Sequence, residues 1–113
     1  MNTDRRKHKR VPVDFPVVYK FQGRTVLGNA INACNEGILV ESYVGLEPAL
    51  HMLKTLANNG RRNVDLRFTY GKRAYRTEAE LKHCRLHFSG NEVLRAELGF
   101  FAPKIQQNIV GIE

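Results

Sequence analysis

In four segments of this 113-residue chain, apolar residues fall on positions of one parity, interrupted only by Thr77 in the third, and this pattern restricts the fold more than any other feature. A period of two places alternate side chains on opposite faces of a β-strand, so each segment is predicted to be a half-buried strand. The four sets are Val13, Phe15, Val17, Tyr19 and Phe21; Val64, Leu66, Phe68 and Tyr70; Tyr75, Ala79 and Leu81; and Leu94, Ala96, Leu98 and Phe100.

The third of these segments changes the face on which its apolar residues lie. Those up to Leu81 share one parity, whereas Cys84, Leu86 and Phe88 share the other. Since a strand keeps one parity unless an extra residue is inserted, we expect a bulge or a break near Lys82 and His83.

One stretch has helical rather than strand periodicity. The run LEPALHMLKTLANNG places Leu46, Leu50, Leu53 and Leu56, with Ala49 and Ala57, at helical spacing. Pro48 suits a first helical turn and Asn59-Gly60 suits an end, so a helix is predicted over about residues 46–59. We expect the leucine stripe to pack on the sheet.

Two more short strands, in TVLGNAI and ILVES, bring the predicted total to about six, joined mostly by hairpin-like turns. Pro12 and Pro16 give the first strand an edge or one free side. Because closure removes exposed edges, the prediction is a mainly β domain, an antiparallel barrel or strongly curled sheet with one inserted helix. It spans residues 13–113 and follows a flexible basic arm, residues 1–12.

The arm carries much of the net charge. The chain has 18 basic and 11 acidic residues, a net charge of +7, and its first ten residues hold five basic residues against Asp4. A concentration of positive charge before a strand is either a solvated tail or a binding site for an anionic partner.

No catalytic or metal-binding pattern is present. The sequence has no Walker loop, no GxGxxG and no CxxC pair, and no Ser-His-Asp grouping stands out. His83 and His87 would lie roughly 13 Å apart on a strand, too far for one metal ion. We therefore expect no enzyme, no metal and no cofactor. Two unrelated cysteines, no apolar run long enough for a membrane span and no signal core favour a soluble cytoplasmic domain.

Two polar motifs remain, RRKHKR and NACNEG. Together they resemble the PilZ domain family of bacterial cyclic di-GMP receptors. Arg6 and Arg10 match the RxxxR motif that precedes the first barrel strand, with Arg5 as the additional arginine of RRxxxR. Asn32 and Gly37 match [D/N]xSxxG after the second strand, with Cys34 where the family usually has Ser. The late ELGFF resembles the last strand of the family more loosely.

The resemblance implies a six-stranded antiparallel PilZ-type barrel and a non-enzymatic receptor for cyclic di-GMP. The ligand-binding residues would be Arg5, Arg6, Arg10, Asn32, Cys34 and Gly37, and in relatives the double arginine is associated with a stacked ligand dimer. Binding would change the surface seen by a partner protein, in second-messenger control of motility or biofilm formation. Two alternatives stay open: a PilZ-like adaptor without nucleotide binding and, less favoured, a basic nucleic-acid-binding barrel.

Overall fold

Six antiparallel strands and one helix form the computed structural model, which describes residues 11–21, 23–33, 37–57, 63–88 and 93–102. The strands are β1 (Val11–Phe21), β2 (Arg24–Ala33), β3 (Gly37–Gly45), β4 (Asn63–Tyr70), β5 (Arg73–His87) and β6 (Val93–Phe101), and helix α1 (Leu46–Ala57) lies between β3 and β4. The predicted mainly β architecture with one inserted helix is confirmed. Val11 and Pro12, assigned to the arm from sequence, are the first two residues of β1.

The sheet closes on itself. The order is β1-β2-β3-β6-β5-β4, and β4 returns to β1 through four antiparallel pairs, from Val17–Phe68 to Lys20–Asp65. Pro12 and Pro16 pair with β2 but lie outside this short ladder, so each has one free side, as their missing N–H groups require.

The barrel interior is built by the alternation seen in the sequence. Phe15, Val17, Tyr19 and Phe21 of β1 are buried, and so are the predicted inward residues of β4 and β6 except Tyr70, which is half-buried like Val13 at the other end of the set in β1. The register between β5 and β6 shifts between Leu81 and His83, which confirms the predicted bulge.

Gly71, with φ of +65°, forms the tight turn between Tyr70 of β4 and Arg73 of β5.

Helix α1 packs with a different face from the one expected. Its buried residues are Ala49, Met52 and Thr55, whereas Leu46, Leu50 and Leu53 are 52%, 47% and 37% exposed. The predicted stripe therefore faces the sheet only in part: Ala49 is buried and Leu56 is half-buried against the core, whereas the other three leucines are exposed. The helix follows β3 with no intervening loop, which sets its rotation, and the small side chain of Ala49 lets its backbone approach the core. The predicted helix end near residue 59 lies outside the described residues.

Candidate functional site

Residues that adjoin the two sequence motifs along the chain pair with each other at one end of the barrel. Val11, the residue after Arg10, pairs with Ala33, the residue before Cys34, and Pro12 pairs with Asn32. Across the 34–36 connection, Ile38 pairs with Ala33. Arg5, Arg6, Arg10 and Cys34 lie outside the described residues. The chain therefore leads from the arginine motif directly to the side of the Asn–Gly motif.

Asn32 lies in a strand rather than in the turn expected from the sequence. Strand β2 continues to Ala33, and a register shift between Ala30 and Asn32 accompanies this last part of the β2–β3 ladder. Ala33 is fully buried, whereas the side chain of Asn32 is half-buried. A strand position limits the backbone freedom of Asn32 more than a turn would, so its amide group is presented from a fixed point of the sheet.

Gly37 is required by packing between strands. A Cβ atom built at this position would lie 2.0 Å from the carbonyl oxygen of Phe100, which belongs to the backbone of the paired strand β6. Any side chain here would force β3 and β6 apart. From the sequence, Gly37 was expected to allow the close approach of a ligand. In the structure, it allows the close approach of the β6 backbone instead.

A row of residues extends from Asn32 across three further strands. Asn32 pairs with Leu39, Leu39 with Gly99, and Gly99 with His83. The exposed imidazole ring of His83 lies over Gly99, where a Cβ atom would be only 2.1 Å from His83 Nε2. Adjacent strands are about 4.8 Å apart, so this ring is roughly 10 Å from the Asn32 strand. That distance suits a ligand the size of a nucleotide.

An aromatic ring and a cation lie beside this row. Phe101 pairs with Gly37 and is 36% exposed, and the Lys82 ammonium lies 5.7 Å from the centroid of its ring. Lys82 also forms an exposed ion pair of 3.4 Å with Glu80. Leu39, Lys82, His83 and Phe101 form what we term the outer platform, a mixed apolar and cationic surface next to Asn32.

The two carboxylates of the neighbouring row, Glu41 and Glu97, share the guanidinium of Arg95, and Glu97 also contacts an imidazole. Arg95 Nη1 lies 3.0 Å from Glu41 Oε2 and 3.3 Å from Glu97 Oε2, and His87 Nε2 lies 3.1 Å from Glu97 Oε1. The hydrogen bond from His87 is the main cause that holds the pKa of Glu97 below its usual value. Because these carboxylates are paired, they oppose an anionic ligand on the outer platform less than free carboxylates would.

Sequence reasoning did not find the outer platform. His83 was interpreted as a surface or packing residue, and Lys82 only as the place of a bulge. The bulge itself was the available signal, since the register shift after Leu81 directs His83 outward toward Gly99. The pairing of β5 with β6 had to be known before that shift could be related to Asn32.

The described residues contain no group of three His, Cys, Asp or Glu side chains that could hold a metal ion. Within the same ranges, no helix is long and apolar enough to cross a membrane.

No protein-family model matches the sequence, and no curated protein matches it significantly. Solved structures do match the fold. The chain superposes on the PilZ domain of YcgR from Escherichia coli, a structure with c-di-GMP, with a TM-score of 0.65 and 14% identity, over 96% of this chain and 88% of that chain.

Two longer proteins share this architecture. One is the inhibitor of motility MotI/DgrA from Bacillus subtilis, with a TM-score of 0.60 and 17% identity over 96% of this chain. The other is PlzA from Borreliella burgdorferi in complex with c-di-GMP, with a TM-score of 0.56 and 9% identity over 93% of this chain. This chain spans 49% and 52% of their respective lengths. The similarity to these structures shows that the chain has a PilZ-like fold.

Proposed function

We propose that this protein is a non-enzymatic cyclic di-GMP receptor in which nucleotide binding changes the surface presented to a partner protein. The observation that supports the proposal is the pairing of Val11, which follows the arginine motif in sequence, with Ala33, which belongs to the Asn–Gly motif. The c-di-GMP-bound PilZ domain of Escherichia coli YcgR has the same fold. A bacterial, cytoplasmic signalling role in motility or biofilm control is part of this proposal.

The chemistry of the motif residues suits this ligand. Guanine presents O6 and N7 as adjacent acceptors, which an arginine fork meets with two hydrogen bonds worth about 1–3 kcal/mol. Arginine also pairs with phosphate oxygens and stacks on bases, which lysine does less well. In this proposal Arg6 and Arg10 hold the nucleotide, and Asn32 binds a base edge.

The outer platform extends the proposed site. A base held at Asn32 would lie over Leu39 and reach the His83 ring, and the Lys82 ammonium would be near a phosphate. Imidazole and phenyl rings accept a stacked base without reading its identity. The platform therefore contributes affinity in this proposal, whereas the arginines and Asn32 contribute selectivity for guanine.

Titration calorimetry with cyclic di-GMP tests the proposal. Arg6→Ala and Arg10→Ala should each weaken binding more than about tenfold, which corresponds to about 1.4 kcal/mol. Lys9→Ala is the matched control, because it removes the same charge from the same segment without removing an arginine fork. Absence of binding by the wild-type protein would refute the proposal, and equal losses for Lys9→Ala and Arg10→Ala would refute the roles of the two arginines.

Two further measurements refine the site. A titration endpoint of two nucleotides per chain is expected if Arg5 supports a stacked ligand dimer, and an endpoint of one would remove that role. Cys34→Ser should tighten binding by up to about tenfold if position 34 faces the ligand, because a hydroxyl makes stronger hydrogen bonds than a thiol. A lower melting temperature with unchanged affinity would instead indicate a buried small residue at position 34.

The same titration separates the alternatives. An adaptor without nucleotide binding would show no heat with cyclic di-GMP, and the exposed leucines of α1 are the feature that favours a role in protein contacts. A nucleic-acid-binding barrel would bind oligonucleotides with a steep dependence on salt and little base preference.

A further inference from the structure

The exposed side of α1 carries the pattern of a helix-pairing surface. Leu46, Leu50, Leu53 and Ala57 are all exposed, and their spacing of four, three and four residues is that of alternating d and a positions in a heptad. We call these four residues the helix seam. Ala49 and Met52, which pack on the barrel, lie on a different side of the helix. The helix therefore has one apolar side on the core and another in solvent.

Charges of opposite sign flank the two ends of the helix seam. Glu47 lies in the first turn and Lys54 in the last, each one position after a seam leucine, so both occupy e positions. A shallow groove of about 470 Å³ runs between them, lined by Leu46, Glu47, Leu50, His51 and Lys54. Glu47 Oε1 also lies 3.6 Å from Arg24 Nη2, but this ion pair is exposed and contributes little to the stability of the monomer.

We propose that the helix seam pairs with the helix seam of a second copy of this chain, in an antiparallel arrangement about a two-fold axis. In an antiparallel pair, a positions face d positions, which sets Leu50 against Leu53 of the second copy and Leu46 against its Ala57. Equivalent e positions then meet, so Glu47 lies beside Lys54 of the second copy, twice in each dimer. In a parallel pair, e positions meet g positions, which sets Lys54 against Ala49 of the second copy and leaves Glu47 without a partner from α1, so no opposite charges meet.

The size of the surface sets the expected strength of the dimer. A helix of 12 residues is about 18 Å long, and one such face is smaller than the roughly 800 Å² per partner of standard interfaces. The dimer should therefore be weak and dependent on concentration, with a dissociation constant of about 10 µM or higher. Nucleotide binding is not required for this pairing, so the inference stands independently of the proposed receptor function.

Sedimentation velocity on the full chain tests the dimer. Between about 10 µM and 1 mM, the wild-type protein should shift from monomer toward dimer. Leu50→Glu should raise the dissociation constant at least tenfold, whereas Leu27→Glu, at a 70% exposed position of β2, should leave it unchanged. A monomer at every concentration would overturn the proposal. That outcome would be expected if the helix seam binds residues 103–113 or an unrelated protein rather than a second copy.

A charge exchange tests the antiparallel geometry. Glu47→Lys alone or Lys54→Glu alone should weaken the dimer about three- to tenfold, because each sets like charges side by side twice. The double variant Glu47→Lys/Lys54→Glu restores opposite charges between copies and should return to within about twofold of the wild type. If the double variant associates no better than the single ones, the antiparallel pairing is refuted. Melting temperatures close to that of the wild type would establish that all variants are folded.

Discussion

Tyr19 is the largest side chain in the fully buried interior of the barrel, and its hydroxyl group has a partner there. Tyr19 Oη and Ser42 Oγ are 3.0 Å apart, and both residues are 1% exposed. Burial raises the pKa of Tyr19 from 10.0 to about 12, although the hydrogen bond with Ser42 acts in the opposite direction. The buried environment therefore stabilises the neutral phenol of Tyr19 relative to the charged phenolate.

The free energy of unfolding should therefore decline as the pH rises from 10 to 12. In this window the unfolded chain loses the Tyr19 proton while the folded protein keeps it, so the unfolded state is favoured. The stability contribution of the neutral phenol is complete below pH 10, and each pH unit above it removes up to about 1.4 kcal/mol. Urea unfolding at a series of pH values measures this decline.

Tyr19→Phe is the control for the alkaline decline. The variant keeps the ring contact with Phe100, at 5.2 Å between centroids, but lacks the titrating group. Its stability should be lower below pH 10, because Ser42 loses a buried partner, and should fall less between pH 10 and 12. Burial also raises the pKa of Cys84 to about 11, so Cys84→Ala is needed to remove the part of the decline that begins near pH 9. Identical slopes for the wild type and Tyr19→Phe would contradict the assignment.

Gly37 and Gly99 allow close contacts of different kinds, and their alanine variants should differ accordingly. Gly37→Ala places a methyl group against the Phe100 carbonyl in the β6 backbone, which cannot move without disturbing the ladder. We expect a loss of about 1–3 kcal/mol in unfolding free energy. For Gly99→Ala, the three nearest atoms all belong to the exposed His83 ring, which can rotate away, so the loss should be smaller. Chemical denaturation of the two variants measures the difference.

Nucleotide affinity provides the second readout for this pair. If the outer platform holds a base, Gly99→Ala should weaken cyclic di-GMP binding because it displaces His83. His83→Ala should weaken binding as well, whereas the control His87→Ala, on the same strand but in contact with Glu97, should not. A larger stability loss for Gly99→Ala than for Gly37→Ala would contradict the packing account of Gly37.

At the scale of elements, α1 covers the core mainly with Ala49 and Met52 and leaves three of its four leucines exposed. Met52 is 2% exposed and Ala49 is fully buried, whereas Leu50 is 47% exposed. Met52→Ala should lower the unfolding free energy by about 2–5 kcal/mol, because it opens a cavity in the core. Leu50→Ala should cost less than about 1 kcal/mol, since alanine favours helix and little buried area is lost. Thermal or urea unfolding in dilute protein, where any dimer dissociates, measures both losses of stability. Equal losses for Met52→Ala and Leu50→Ala would indicate that Leu50 packs on the sheet after all.

For the whole molecule, closure of the barrel depends on contacts between distant parts of the chain. β3 pairs with β6 along nine residue pairs, from Gly37–Phe101 to Gly45–Val93, and closure requires four pairs between β1 and β4. Folds dominated by such non-local pairs fold in about milliseconds to seconds, slower than helical bundles. Stopped-flow refolding followed by tyrosine fluorescence or circular dichroism should give relaxation times in this range. Relaxation in microseconds would contradict this expectation.

Local sequence pattern was sufficient to locate most strands and their buried faces. The alternation from Phe15 to Phe21 and from Leu94 to Phe100 predicted the inward side chains correctly, because the period of a strand is a property of the backbone. The change of parity after Leu81 located the bulge for the same reason. The expected position of Asn32 beside the end of the second strand was close, although β2 extends through this residue.

Tertiary structure decided the features that depend on which strands become neighbours. The wide apolar arc of α1 could turn either Leu50 or Met52 toward the core, and its direct connection to β3 selected Met52. The contact of His83 with Gly99 depends on the pairing of β5 with β6, residues 16 positions apart, which no local period encodes. Periodicity specifies the face of a single element, but only packing between elements selects its neighbours, because many pairings can bury the same apolar face.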